Sequence, residues 1–115
     1  MQSDGRAVPD EKALLFALGL CAKAGRLIFG VPMICDSLGK AKRPLLVIAA
    51  SDNASNSEKR LRDKCAYYGV RLVIAPVDGE TLSHAVGKSA RLAAVAVTDE
   101  NLAALVARSL PPIGQ

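Results

Sequence analysis

The sequence predicts an α/β fold, a three-layer α/β/α sandwich around a four-stranded sheet, and three observations carry that expectation. The apolar runs Leu45–Ala50 and Leu92–Val97 are continuous rather than alternating, which marks strands covered on both faces. Segments with apolar residues at helical spacing separate the strand-like runs, so helices and strands take turns along the chain. The length of 115 residues, half of them apolar and 23% charged, suits one domain with one core.

Each element has a local reason. Residues 1–9 are polar and end at Pro9, and read as a disordered leader. Asp10 is placed to cap a helix running to about Ala24, with Leu14, Leu18 and Cys21 on its apolar stripe and Gly25 as a left-handed stop. A short strand, Arg26–Phe29, ends at Gly30. The next helix starts at Val31 or Pro32 and ends near Gly39, because a proline in the first turn lacks an N–H that would have no partner there anyway. Leu45–Ala50 is a buried strand. Ser55-Asn56-Ser57-Glu58 has the form of a capping box, opening a helix to Tyr68 with Gly69 as the stop. Val70–Ala75 is the third strand, Asp78–Val86 a short helix closed by Gly87, and Leu92–Val97 the fourth strand. Thr98 or Asp99 caps a last helix to about Leu110, terminated by Pro111-Pro112. The domain therefore spans 10–110 with a tail at 111–115. Periodicity leaves the order and direction of the strands open.

Composition narrows the function. The formal charge of +4 and pI near 9.2 fit an anionic partner. With no Trp, two Phe and two Tyr, stacking of successive bases on exposed rings is not expected. The apolar run Ala13–Ala22 lies between Lys12 and Lys23 and is about half the ~20 residues that cross a bilayer. The first eleven residues lack a basic front, so no membrane partner or secretory signal is expected. Cys21, Cys35 and Cys65 are odd in number and widely spaced, which reads as buried thiols in a reducing compartment, by default the cytoplasm.

Catalytic and cofactor patterns are missing. The first strand-to-helix turn offers only Gly30, so neither a dinucleotide fingerprint nor a phosphate-binding P-loop is present. The sole histidine, His84, has no neighbouring cysteine and reads as a surface or structural residue. A Cys65–His84 nucleophile pair would need the fold to join them, and Cys65 reads as a small buried apolar residue in a helix. Asp99-Glu100 sits where carboxylates complement a helix dipole. No enzyme activity, cofactor or metal is expected.

The cations fall in groups. Lys23 and Arg26 bracket the first helix stop; Lys40, Lys42 and Arg43 crowd the turn before the second strand. On the third helix, Glu58 with Arg62 and Lys59 with Asp63 are spaced for i,i+4 pairing. The loop Gly87-Lys88-Ser89-Ala90-Arg91 places two cations, a hydroxyl and a flexible glycine before a buried strand. Gly30, near Arg26, is a second turn where backbone amides meet phosphate readily.

The segments Ala22-Lys23-Ala24-Gly25-Arg26-Leu27 with Gly30, Asp63–Val70, Leu82–Arg91 and Val95–Glu100 resemble the L-seven-Ae superfamily of kink-turn-binding ribosomal proteins, and within it the small bacterial YlxQ-type branch. The resemblance runs from about Lys12 to Leu105. It implies an L-thirty-e-like sandwich with a mixed four-stranded sheet, no catalysis and no cofactor. It also implies a cytoplasmic, ribosome-associated RNA-binding protein acting in translation, for which a monomer is expected. RNA would be gripped by the turn into the second helix and the loop before the last strand. The candidate site is then Gly30 and Val31 with Lys88, Ser89 and Arg91, joined by Lys23 and Arg26; the four cations hold phosphate and Gly30 admits close backbone approach. Better-known members follow the glycine with Asn-Glu and a later Lys. This chain has Val31, Pro32, Met33 and Asp36; the first three make no side-chain hydrogen bond to a guanine edge, and Asp36 would repel phosphate where Lys would attract it. The alternative expectation is a protein-interaction module that keeps the fold and uses Val31-Pro32-Met33 and Ile34 as an apolar patch.

Overall fold

A computed structural model describes residues 11–110. The leader, the Asp10 cap and the Pro111-Pro112 stop lie outside the described residues. The elements are α1 (Glu11–Lys23), β1 (Leu27–Phe29), α2 (Val31–Leu38), β2 (Leu46–Ala49), α3 (Ser55–Tyr68), β3 (Arg71–Ile74), α4 (Gly79–Ala85), β4 (Ala94–Val97) and α5 (Glu100–Arg108). Strands end one or two residues inside their apolar runs, and every expected element is present in order.

The sheet order is β1-β4-β2-β3. β2 and β3 are parallel, whereas β4 is antiparallel to both β1 and β2, so the sheet is mixed. The two strands with continuous apolar runs, β2 and β4, occupy its centre and are wholly buried, as two covered faces require. Their alternation sorts the layers. Leu46, Ile48, Val95 and Val97 face the core shared with α1, α4 and α5; Val47, Ala49, Ala94 and Ala96 face α2 and α3. Alanine at three of those four positions lets α2 and α3 approach the sheet closely.

The stops form where glycine permits positive φ: Gly25 at 69° and Gly69 at 70°. The capping box does not form. Ser55 is already helical, Ala54 is the N-cap, and no side chain caps the end. The Glu58 amide donates to the Ala54 carbonyl at 3.1 Å, and its carboxylate instead accepts from Arg62 at 2.6 Å. A cation at i+4 offers the carboxylate a charge-assisted bond that the box would have to forgo. Asp78 and Asp99 do act as caps, accepting from the Thr81 and Leu102 amides at 2.8 and 2.9 Å.

Because β1, β2 and β3 run one way and β4 the other, the sheet has two distinct ends. The upper end carries Gly30, residues 50–53, residues 75–78 and the segment entering β4. The lower end carries residues 24–26, residues 40–45, Gly69 and Thr98.

Candidate nucleic-acid interface

The two turns singled out in the sequence meet at the upper end. Gly30 leaves β1 at φ 87°, ψ 150°, a region open essentially to glycine alone. Its amide donates to the Ala94 carbonyl at 3.0 Å, tying the turn to the start of β4. The amide is therefore committed within the fold and is not a phosphate donor; the exposed resource is the end of α2. No side chain caps that helix, so the first-turn amides of Val31 and Met33 keep the partial positive charge of a helix N-terminus without a side-chain partner.

The loop before β4 comes to the same place. Gly87 takes φ 77°, and the Lys88 amide donates to the Ser83 carbonyl at 2.9 Å. Lys88 then lays its ammonium 4.4 Å from the centroid of the Phe29 ring, one residue before Gly30. That cation–π contact is the direct link between the two turns. Phe29 gave no sign of this role in the sequence, where it reads only as a strand residue. Ser89 is exposed and borders an open groove with Glu80, Thr81 and His84 of α4.

Arg91 differs from the expected free cation. One of its guanidinium nitrogens (Nη2) donates to Asp52 Oδ1 at 2.7 Å, to the Asp52 carbonyl at 3.2 Å and to Asn53 Oδ1 at 3.0 Å. The hydrogen bond from Arg91, then that from the Gly79 amide, holds the Asp52 carboxyl below its ordinary range. Asn53 completes the anchor by donating to the Ala50 and Ala93 carbonyls. Arg91 is thus a strut holding the loop on the β2 end. Sequence reading missed Asp52 and Asn53, since they lie about forty residues from Arg91 and no spacing rule joins them. Among the described residues Lys88 is the cation of these turns with no carboxylate partner.

Lys23 and Arg26 are not brought to this place. Both lie at the lower end, and Arg26 stands four residues from Gly30 along an extended strand, roughly 13 Å. Its carbonyl accepts from the Thr98 amide and hydroxyl at 3.0 and 3.1 Å, which closes the opposite rim of the sheet. The expected site therefore divides into an upper group (Gly30, Val31, Lys88, Ser89, Arg91) and a lower group (Lys23, Arg26).

The apolar patch is also smaller than expected. Val31 and Ile34 are buried in the core with α3, while Pro32 and Met33 are exposed, because helical spacing turns only one side of α2 outward. Asp36 is held by Lys40 at 3.1 Å. Cys65 and His84 belong to opposite faces of the sheet: Cys65 is buried between α2 and α3, and His84 is exposed on α4. They cannot form a nucleophile pair, and burial pushes the Cys65 thiol up to about 11. No group of three His, Cys, Asp or Glu among the described residues is placed to hold a metal ion. No helix among them is long and apolar enough to cross a membrane.

Comparison with known proteins agrees with this architecture. The model of the ribosomal protein L7Ae/L30e/S12e/Gadd45 family matches residues 12–107. The RNA-binding protein YlxQ of Bacillus subtilis (strain 168) is 34% identical over 87 residues, covering 75% of this chain and 83% of that protein. Among solved structures, a Bacillus halodurans C protein of unknown function superposes with a TM-score of 0.73 at 30% identity, over 85% of this chain and 99% of its own. The 15.5kD RNA binding protein of Giardia lamblia gives 0.70 at 24% identity over 93% of each chain, a likeness of fold.

Proposed function

Because the chain belongs to the ribosomal protein L7Ae/L30e/S12e/Gadd45 family, we propose that it is a non-enzymatic RNA-binding protein that recognises a sharply bent, kink-turn-like RNA at the upper end of its sheet. The observation that carries this reading is the contact of Lys88 with Phe29, which brings the 87–92 loop to the end of β1, next to the Gly30 turn that leads into the uncapped α2. A bent RNA exposes sugar–phosphate edges and unstacked bases at one point. Lys88, with no carboxylate partner among the described residues, supplies a charge for phosphate, the α2 terminus supplies amide dipoles, and Gly30, with no Cβ, lets the backbone come close. Ser89 adds a hydroxyl, and Val31, buried in the core with α3, anchors the first turn of the helix. Arg91 contributes by positioning the loop, with its charge shared with Asp52.

Recognition of this kind reads shape and backbone more than base edges. The residues after Gly30 are Val31, Pro32 and Met33, and none of these side chains hydrogen-bonds a base. The working setting that follows is cytoplasmic and ribosome-associated, with the protein acting as a monomer. The test is binding to an internal-loop RNA duplex of kinked shape and to a fully paired duplex of equal length, for the wild type and Lys88→Ala. The kinked RNA binds more tightly, and Lys88→Ala weakens it while flattening log K against log salt by about 0.7–0.9. Equal binding of both duplexes, or an unchanged slope, overturns the reading. If Met33→Asp instead abolishes capture of a protein that survives nuclease and high salt, the exposed Pro32-Met33 pair marks a protein-docking module.

A further inference from the structure

A second surface, far from the two turns, combines uncompensated charge with an exposed aromatic ring. On α3 the residues Arg60, Lys64 and Tyr67 follow at i, i+4 and i+7, a spacing that lines them along one helix face. With Asp63 and Tyr68 they border an open groove of about 520 Å³. The ion pairs of the helix leave these cations out. Asp63 is taken by Lys59 at 2.7 Å and Glu58 by Arg62 at 2.6 Å, so Arg60 and Lys64 have no carboxylate partner among the described residues. Tyr67 is 80% exposed, the most exposed of the large apolar side chains, although the core has no use for it there.

The ring is nevertheless held. Tyr67 packs edge-to-face on Tyr68, with centroids 4.8 Å apart and planes at 86°. Tyr68 is fixed in turn by the Arg43 guanidinium, 5.0 Å from its centroid, and Arg43 is anchored through Nε to the Leu38 carbonyl at 2.9 Å. An ordered, solvent-facing ring beside two free cations suits a base stacked on the ring with its phosphates on the cations.

We propose that this α3 surface is a second RNA-binding site, taking a single-stranded segment through one base stacked on Tyr67 and backbone phosphates on Arg60 and Lys64. It rests on the RNA-binding reading above and extends it to the strand that leaves the folded part of the RNA. One ring accepts one base of any identity, so the site tolerates sequence and adds affinity to the recognition made at the upper end.

The test uses the full chain with two probes: a fluorescein-labelled oligouridylate of about 12 nucleotides, and the kinked duplex with and without the same sequence as a single-stranded tail. The wild type binds the oligouridylate, and the tail tightens the duplex. Tyr67→Ala costs about five-fold or more on the oligouridylate and on the tail, the effect of losing one stacked base, whereas Tyr67→Phe keeps binding. Arg60→Ala with Lys64→Ala lowers the salt slope for the oligouridylate by about 1.4, two single-strand phosphate contacts. All three variants bind the tail-less duplex as the wild type does. Oligouridylate binding that is absent in the wild type, or equal in Tyr67→Ala, overturns the proposal. Loss of selective binding to the tail-less kinked duplex strikes only the earlier reading. The chain has no Trp and only these two Tyr, so quenching of tyrosine emission by the oligouridylate reports the stack directly.

Discussion

Replacing Gly79 by alanine should act on the candidate site through Arg91. A Cβ on Gly79 would stand 2.6 Å from Arg91 Cγ, 2.7 Å from Nε and 2.8 Å from Cζ. The first of these atoms is near the root of the side chain, so turning only its tip does not relieve the clash, and the guanidinium must leave Asp52. The lost interaction is a charge-assisted bond at 2.7 Å between side chains about 41% and 47% exposed. Hydrogen bonds to charged groups contribute roughly 1.5–3 kcal/mol, and solvent screening of a half-exposed pair reduces this to about 1 kcal/mol. At the size of this domain that is about 4–8 °C in Tm. In the wild-type background Gly79→Ala therefore destabilises by up to about 1 kcal/mol, the lost bond being offset in part by alanine's better helix propensity. In an Arg91→Ala background the obstacle is gone, and the same change is neutral or stabilising by up to about 1 kcal/mol. Urea denaturation of the four proteins gives the coupling, which should be about 1 kcal/mol or more. Strictly additive effects would refute the strut.

Two further outcomes follow from the same end of the sheet. Gly30→Ala meets nothing closer than Pro32 Cδ at 3.9 Å, so its cost is backbone strain alone, about 1–3 kcal/mol in urea denaturation. The Asp52 carboxyl is depressed below its ordinary value of 3.8, so its contribution is fully present above that value and is lost as pH falls through the folded one. Between pH 5 and 2 the wild type should therefore lose more stability than Asp52→Asn, and parallel curves would contradict the Asp52–Arg91 link.

Much of the fold was legible because its signals are local. Continuous apolar runs identified the central strands, and Gly25, Gly69 and Gly87 took the positive φ that helix stops use. The Glu58–Arg62 and Lys59–Asp63 pairs formed as their spacing implies. Strand order was not legible, since burial on both faces gives β2 and β4 the same pattern whichever way they run. The Ser55 box failed because motif spacing does not say which residue is the last non-helical one.

The candidate site was legible only as two separate turns. Their meeting depends on β4 running antiparallel to β1, which brings Ala94 to Gly30 and Lys88 to Phe29. The same topology sends Arg26 to the other rim. Arg91 looked like a free cation because Asp52 is distant in sequence. The Tyr67 surface was legible only in part: the spacing that pairs Glu58 with Arg62 and Lys59 with Asp63 already leaves Arg60 and Lys64 over, but the exposed, held ring of Tyr67 beside them depends on Tyr68 and Arg43, which no helical spacing joins.

The central claim is that one surface, made by the start of α2 and the 87–92 loop, meets a folded RNA. Amide chemical-shift mapping during titration with the tail-less kinked duplex tests it most directly. The largest changes should fall on Gly30, Val31, Met33 and residues 87–92, with α1 and α5 unmoved. Changes centred on the outer face of α1 and α5, or none at saturating RNA, would contradict it.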